Sequence, residues 1–220
     1  MKGYAMSGLK IRSLVGIQIP DTPAVAAAID YARRACEPYL FNHVMRSWLF
    51  AVRLGEVQGA THDGEVLAVG TLLHDITLNE AFAGPRRFEV EGADLAGAFA
   101  RDAGFDTRRT QLVWDSVALN STPSIGLYKE AEVRLCTAGI CLDVVGLQYD
   151  LIPTVDRVRI VEAFPRLDMK RRMTCCFRHI AETQPGTTYD NFVRDFGERF
   201  VPGYAGPSSA DLVANAPFDE

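Results

Sequence analysis

The chain has 220 residues, 48% of them hydrophobic and 23% charged, with a formal net charge of −5 and a pI near 5.4. That balance supplies enough apolar material for one sizeable core and lacks the bulk positive field that draws nucleic acid or anionic membranes. No run of about 18 apolar residues is present, so no membrane-spanning helix is expected. Arg108-Arg109 and Lys170-Arg171-Arg172 are short basic clusters that read as solvated helix faces. The first twenty residues carry basic side chains but no sustained apolar stretch or small-residue cleavage site, so they do not read as a secretion signal. Five cysteines without a disulfide-like spacing then read as reduced thiols in a cytoplasmic protein.

In chain order the pattern is helical almost throughout. An N-terminal extension (1–20) holds "LKIRSLVGIQI", the one strand-like piece. "TPAVAAAIDYARRAC" follows, with Asp21 or Thr22 as N-cap and Pro23 in the first turn. A second helix runs from about Pro38 through "YLFNHVMRSWLFAVRL" and stops near Gly55 or Gly59. A third begins after the turn "THDG" and ends at His74-Asp75. "EVEGADLAGAFARDAG" is a fourth, closed by Gly104, and Asp106 or Thr107 caps "RRTQLVWDSVALN". The turn "STPSIG" leads to a helix near 129–145, and further helices cover about 154–163, 168–182 and 187–200. Residues 201–220 form an arm packed on the helical body (21–200), with one short helix. The fold class expected is all-α, a compact bundle.

Two His-Asp dipeptides invite comparison. His62-Asp63 precedes Gly64 in a turn, and Asp63 is a natural N-cap. His74-Asp75 closes a helix that is apolar on most sides, so both side chains are expected inside, where they need partners. Neighbouring helix residues point about 100° apart, so both can grip one ion only near a helix end. A salt-bridged pair and a metal-binding pair both fit the dipeptide taken alone. His43, in the apolar context "FNHVMRSWLFAV", and Asp143, flanked by Leu142, Val144 and Val145, strengthen the metal reading. The small residues Thr137, Ala138 and Gly139 permit the Asp143 helix to approach another closely. Two imidazoles and two carboxylates suit a first-row divalent ion: zinc first, with iron, manganese, cobalt or nickel also compatible.

The widely spaced H…HD…D pattern resembles the HD superfamily of metal-dependent hydrolases. The blocks "FNHVMRSWLFA", "TLLHDITL", "FEVEGA", "AGICLDVVG" and "TTYDNFVRDFGERFVPGY" look like its cyanamide hydratase-like branch, from about Ile17 to the C-terminus. The resemblance implies a bundle of the HD-domain type with His43, His74, Asp75 and Asp143 as metal ligands. It puts Asn42, Arg46 and Thr77 beside them, in catalytic or supporting positions. Two departures stand out. "RFEVEGA" has Glu89 and Glu91 where binuclear relatives carry histidine, and Asn120 stands where many relatives of the branch carry another. One metal ion is therefore expected.

The leading function is hydration or hydrolysis of a small nitrile- or amide-like molecule, for which Thr77 and Asn42 would supply hydrogen bonds. The alternative, a phosphohydrolase acting on a nucleotide or other phosphomonoester, needs Arg46, with Lys129 a weaker anion contact. A non-catalytic metal-containing binding module is the third reading. Asn120, Lys129 and Trp48 are the candidate substrate contacts, although aromatics at helical spacing are more often core. The expected partner is a small-molecule substrate, with neither nucleic acid nor membrane, and a homo-oligomer is compatible with the sequence.

Overall fold

The computed structural model describes residues 10–81 and 83–218. The strand-like piece is a hairpin of β1 (Ile11–Leu14) and β2 (Ile17–Pro20), antiparallel, with Leu14 opposite Ile17. Val15 and Gly16 turn the chain with φ of 50° and 87°, positive at both positions as a tight two-residue hairpin loop requires. Alternation along β2 exposes Gln18 and sinks Ile17 and Ile19 into the same core as the helices.

Helices make up nearly all the rest, and their ends follow local chemistry. In α1 (Pro23–Ala35) the Thr22 hydroxyl accepts from the Val25 amide, and Pro23 occupies the first turn. Helix α2 (Pro38–Gln58) ends at Gly59 in the left-handed conformation. Asp63 caps α3 (Gly64–Leu73) by accepting from Glu65 and Val66 at 3.0 and 3.1 Å. α4 (Phe88–Asp102) precedes α5 (Thr107–Ala118), capped by Asp106. The expected turn "STPSIG" contains a one-turn helix, α6 (Pro123–Gly126), followed by α7 (Ala131–Val145), α8 (Thr154–Ala163) and α9 (Met169–Thr183). The helix expected from 187 starts later, as α10 (Val193–Phe200). Residues Pro185–Thr188 form a separate 3-10 turn, and the Asn191 side chain accepts from the Val193 amide at the start of α10.

The architecture is a compact, mostly helical bundle. Among the described residues, no helix is long and apolar enough to cross a membrane. At its centre lies α3, with every residue from Val66 to Leu73 buried, packed against α1, α2, α5 and α7. Such all-round burial explains why this helix is apolar on most faces. Helices α2 and α7 pack closely. A Cβ at Gly139 would lie 2.4 Å from the Ser47 carbonyl oxygen, so the contact tolerates no side chain there. His43 lies one turn before Ser47 and Asp143 one turn after Gly139. Close antiparallel packing therefore sets these two polar residues side by side. The C-terminal arm is tied back: Arg194 donates to the Pro207 carbonyl at 2.6 Å, and the Thr188 and Tyr204 hydroxyls are bonded. Helix α11 (Ser209–Ala214) is exposed.

Candidate metal centre

Helix α3 stops at Leu73, and His74 is its C-cap residue. From there the chain enters a turn through Thr77. His74 keeps helical dihedrals (φ −63°, ψ −27°), and at this helix end its Nε2 and Oδ2 of Asp75, adjacent in sequence, come within 3.2 Å of each other. His43, from the middle of α2, faces the same point. Its Nε2 is 3.2 Å from Nε2 of His74 and 3.5 Å from Oδ2 of Asp75, while His74 Nε2 is 3.2 Å from that oxygen. The donor atoms of all three lie within 4.8 Å of one another, and all three residues are buried.

The remaining hydrogen bonds decide what those atoms are. Nδ1 of His74 sits 2.7 Å from the Thr71 carbonyl oxygen, which only accepts, so the ring proton belongs on Nδ1 and Nε2 carries a lone pair. Nδ1 of His43 is 2.7 Å from Oδ2 of Asp143, which assigns its proton in the same way. Two imidazole lone pairs and a carboxylate oxygen thus converge in a buried space. Such a set is repulsive until a proton or a cation stands between its members. Three convergent N, N, O donors, with each ring held through its other nitrogen, fit a first-row divalent ion.

The titration tendencies agree with this geometry. For His74, burial disfavours the charged ring, but the Asp75 carboxylate and the Thr71 carbonyl outweigh it, and the net shift is upward. For His43 burial dominates and the shift is downward, despite Asp143. Burial opposes ionisation of Asp75, yet the His74 and His43 rings hold its pKa below the usual value. Asp143 is also buried, and bonds from His43 and Arg46 hold its carboxyl well below the carboxylate range.

Asp143, the fourth expected ligand, is not brought into the convergent set. It stands behind the His43 ring, outside the convergent donors, and both its oxygens are engaged. Oδ2 accepts from His43 and from Arg46 Nη2 at 2.8 Å; Oδ1 accepts from Arg46 Nε at 2.8 Å and Arg166 Nη1 at 2.9 Å. Arg46 is saturated in turn. Its other N–H groups go to the Phe164 and Pro165 carbonyls and the Met169 sulfur, so all five guanidinium donors are used. Arg46 is fully buried and does not face the cavity described below.

A cavity of about 230 Å³ opens over the cluster. His43, His74, Asp75 and Asn120 form its polar base; Phe88, Ile140, Cys141, Met173 and Phe177 form walls; Ser121, Pro123, Val144, Val145 and Phe192 complete it. Of the expected contacts, Asn120 lines this space, and its amide donates to the His74 and Val117 carbonyls at 3.2 and 2.8 Å, bracing the turn that carries His74 and Asp75. The others are elsewhere. The Asn42 amide points one helical step away and donates to Pro165. The Thr77 hydroxyl donates to the Phe88 carbonyl at 2.7 Å. Trp48 is fully buried core, and Lys129 pairs with Asp115 and Glu130. Glu89, where a second set of ligands would start, is committed to Arg87 at 2.9 Å and to the Ser121 hydroxyl. Among the described residues His43, His74 and Asp75 form the one cluster of this kind. The control pair behaves as a turn: His62 packs beside Gly55 with Nδ1 3.1 Å from the Ala60 carbonyl.

Sequence reasoning missed Arg166 and the aromatic wall. Phe177 and Phe192 meet edge to face, ring centroids 4.6 Å apart, from α9 and the segment before α10. No spacing signal links residues on separate elements, and only packing brings them to the cavity. No protein-family model matches the chain, and no curated protein matches it.

Proposed function

We propose that the protein is a mononuclear metal-dependent enzyme of the HD type that hydrates or hydrolyses a small neutral nitrile- or amide-like molecule. The observation that carries this reading is an all-acceptor His43–His74–Asp75 cluster at the base of a cavity into which, among the described residues, no lysine or arginine projects. A phosphomonoester would bring two negative charges to an ion that Asp75 already half neutralises, and no lysine or arginine of the cavity lining balances the remainder. Arg46, the cation that the phosphate reading needs, spends every donor on Asp143, two carbonyls and a sulfur.

His43, His74 and Asp75 would hold the ion. When bound, the ion supplies a water of lowered pKa and a Lewis acid near neutral pH. Asp143 and Arg46 keep the His43 proton on Nδ1 and its Nε2 lone pair available. The Thr71 carbonyl does the same for His74, and Asn120 braces the backbone of that turn. The apolar walls keep bulk water and charged competitors out. In the overall reaction a water oxygen bonds to the nitrile carbon and becomes the carbonyl oxygen, both carbon–nitrogen π bonds are replaced by one carbon–oxygen π bond and two N–H bonds, and both water protons end on nitrogen, giving an amide (urea from cyanamide).

The test is metal analysis of protein purified without added metal, then reconstitution with zinc, iron, manganese, cobalt or nickel. Each form is offered cyanamide, simple nitriles and a panel of phosphomonoesters. Hydration of the neutral substrates is expected. Turnover of phosphomonoesters alone would overturn the reading, and a firmly held ion with no turnover on either class would favour a binding module.

A further inference from the structure

The cavity is built for more than a three-atom nitrile. Its volume, about 230 Å³, is many times what one water needs. Its polar groups gather at one end, on the His43–His74–Asp75 base, with Asn120 beside them. Apart from Ser121, whose hydroxyl donates to Glu89, the rest of the lining comes from apolar and sulfur-bearing side chains. Ile140 and Val144, one helical turn apart on α7, line this space together with Met173 and Phe177, one turn apart on α9. Val145 lines the same space while 74% exposed, so it stands at the opening. A polar head smaller than the cavity would leave these side chains against water that finds no hydrogen-bond partners, an arrangement a carbon chain relieves.

We infer that the natural substrate is amphiphilic: a compact neutral head bound at the His43–His74–Asp75 base, joined to an unbranched or aromatic apolar tail of about four to six carbons that fills the space between α7 and α9. The nature of the head rests on the function proposed above; the tail rests on the cavity alone. Transfer of each methylene from water to this wall should tighten binding about three- to four-fold until the space is full. Ile140 and Val144 of the lining bound the space that the tail can fill.

The experiment is a binding series on metal-free protein, using the straight-chain nitriles from acetonitrile to octanenitrile and measuring Kd by ligand-observed NMR. Kd should fall about three- to four-fold per methylene and level off near five or six carbons. Ile140→Ala should move that plateau to longer chains and Val144→Phe to shorter ones, with circular dichroism reporting that both remain folded. A Kd independent of chain length overturns the inference, as does cyanamide binding more tightly than pentanenitrile. The same series on the metal-loaded enzyme separates the two claims. Chain-length-dependent binding without turnover of any nitrile supports the tail site and refutes the proposed chemistry. Turnover of cyanamide with flat binding does the reverse.

Discussion

Arg46→Met is the substitution that bears most directly on the site's construction. Arg46 and the Asp143 side chain are 0% and 1% exposed, and two of the five guanidinium bonds end on that carboxylate. Methionine fills much of the volume but leaves Asp143 with His43 and the partly exposed Arg166, strips the Arg46 bond from the Phe164 carbonyl, and leaves the Pro165 carbonyl with Asn42 alone. Removing one partner of a buried ion pair costs about 3–5 kcal/mol, because the other charge stays behind. For a chain of this size, each kcal/mol moves Tm by about 2–4 °C, so a fall on the order of 6–20 °C is expected in calorimetry of the metal-free protein. Metal affinity should fall about 10- to 100-fold, since Asp143, no longer fixed by Arg46, holds His43 less firmly in one tautomer and orientation. Competition against a chelator of known affinity measures that loss. Unchanged Tm and unchanged affinity would refute the reasoning. Normal stability and metal content with selective loss of phosphatase turnover would instead return Arg46 to the substrate.

Three further outcomes follow from the same geometry. Elemental analysis should find about one divalent ion per chain, lost or greatly weakened in His74→Ala and Asp75→Ala; two tightly held ions would contradict the single cluster. His62→Ala should leave metal content and turnover almost unchanged, because His62 bonds only the Ala60 carbonyl in its turn, and a loss like that of His74→Ala would mean the wrong pair had been chosen. The third concerns pH and metal-free protein. Burial opposes the charge on Asp75 and Asp143, but their basic neighbours hold both carboxyls below the ordinary 3.8, so their stabilisation is fully present above that value and drains away as pH falls toward the lower folded-state pKa values. His74 is shifted upward from 6.5, so its contribution is complete below 6.5 and is lost as pH rises through the higher folded value. Urea melts from pH 2 to 9 should therefore show carboxylate-linked loss at the acid end and His74-linked loss above pH 6.5. A saturating divalent ion should abolish the second by displacing the proton. Persistence of the alkaline loss in metal-loaded protein would remove His74 from the ligand set.

Much of this protein was legible before its structure. Local chemistry along the chain determined the helix starts at Thr22, Asp63 and Asp106, because a capping side chain reaches amides only two or three residues away. The apolar run 66–73 marked a central helix, and the two His-Asp pairs were separable by their immediate neighbours. The small residues before Asp143 announced a close helix contact, seen at Gly139. Tertiary structure alone decided the rest. Asp143 lies behind His43 instead of beside Asp75, and Arg46 is exhausted by carbonyls 118 and 119 residues away. Thr77 and Asn42, neighbours of the cluster in sequence, point into backbone carbonyls, while Phe177 and Phe192 arrive from the far end of the chain to wall the cavity. The physical reason is range. Caps and periodicity act over a few bonds of chain, whereas the direction of a buried side chain is set by which distant groups satisfy it once the helices have packed.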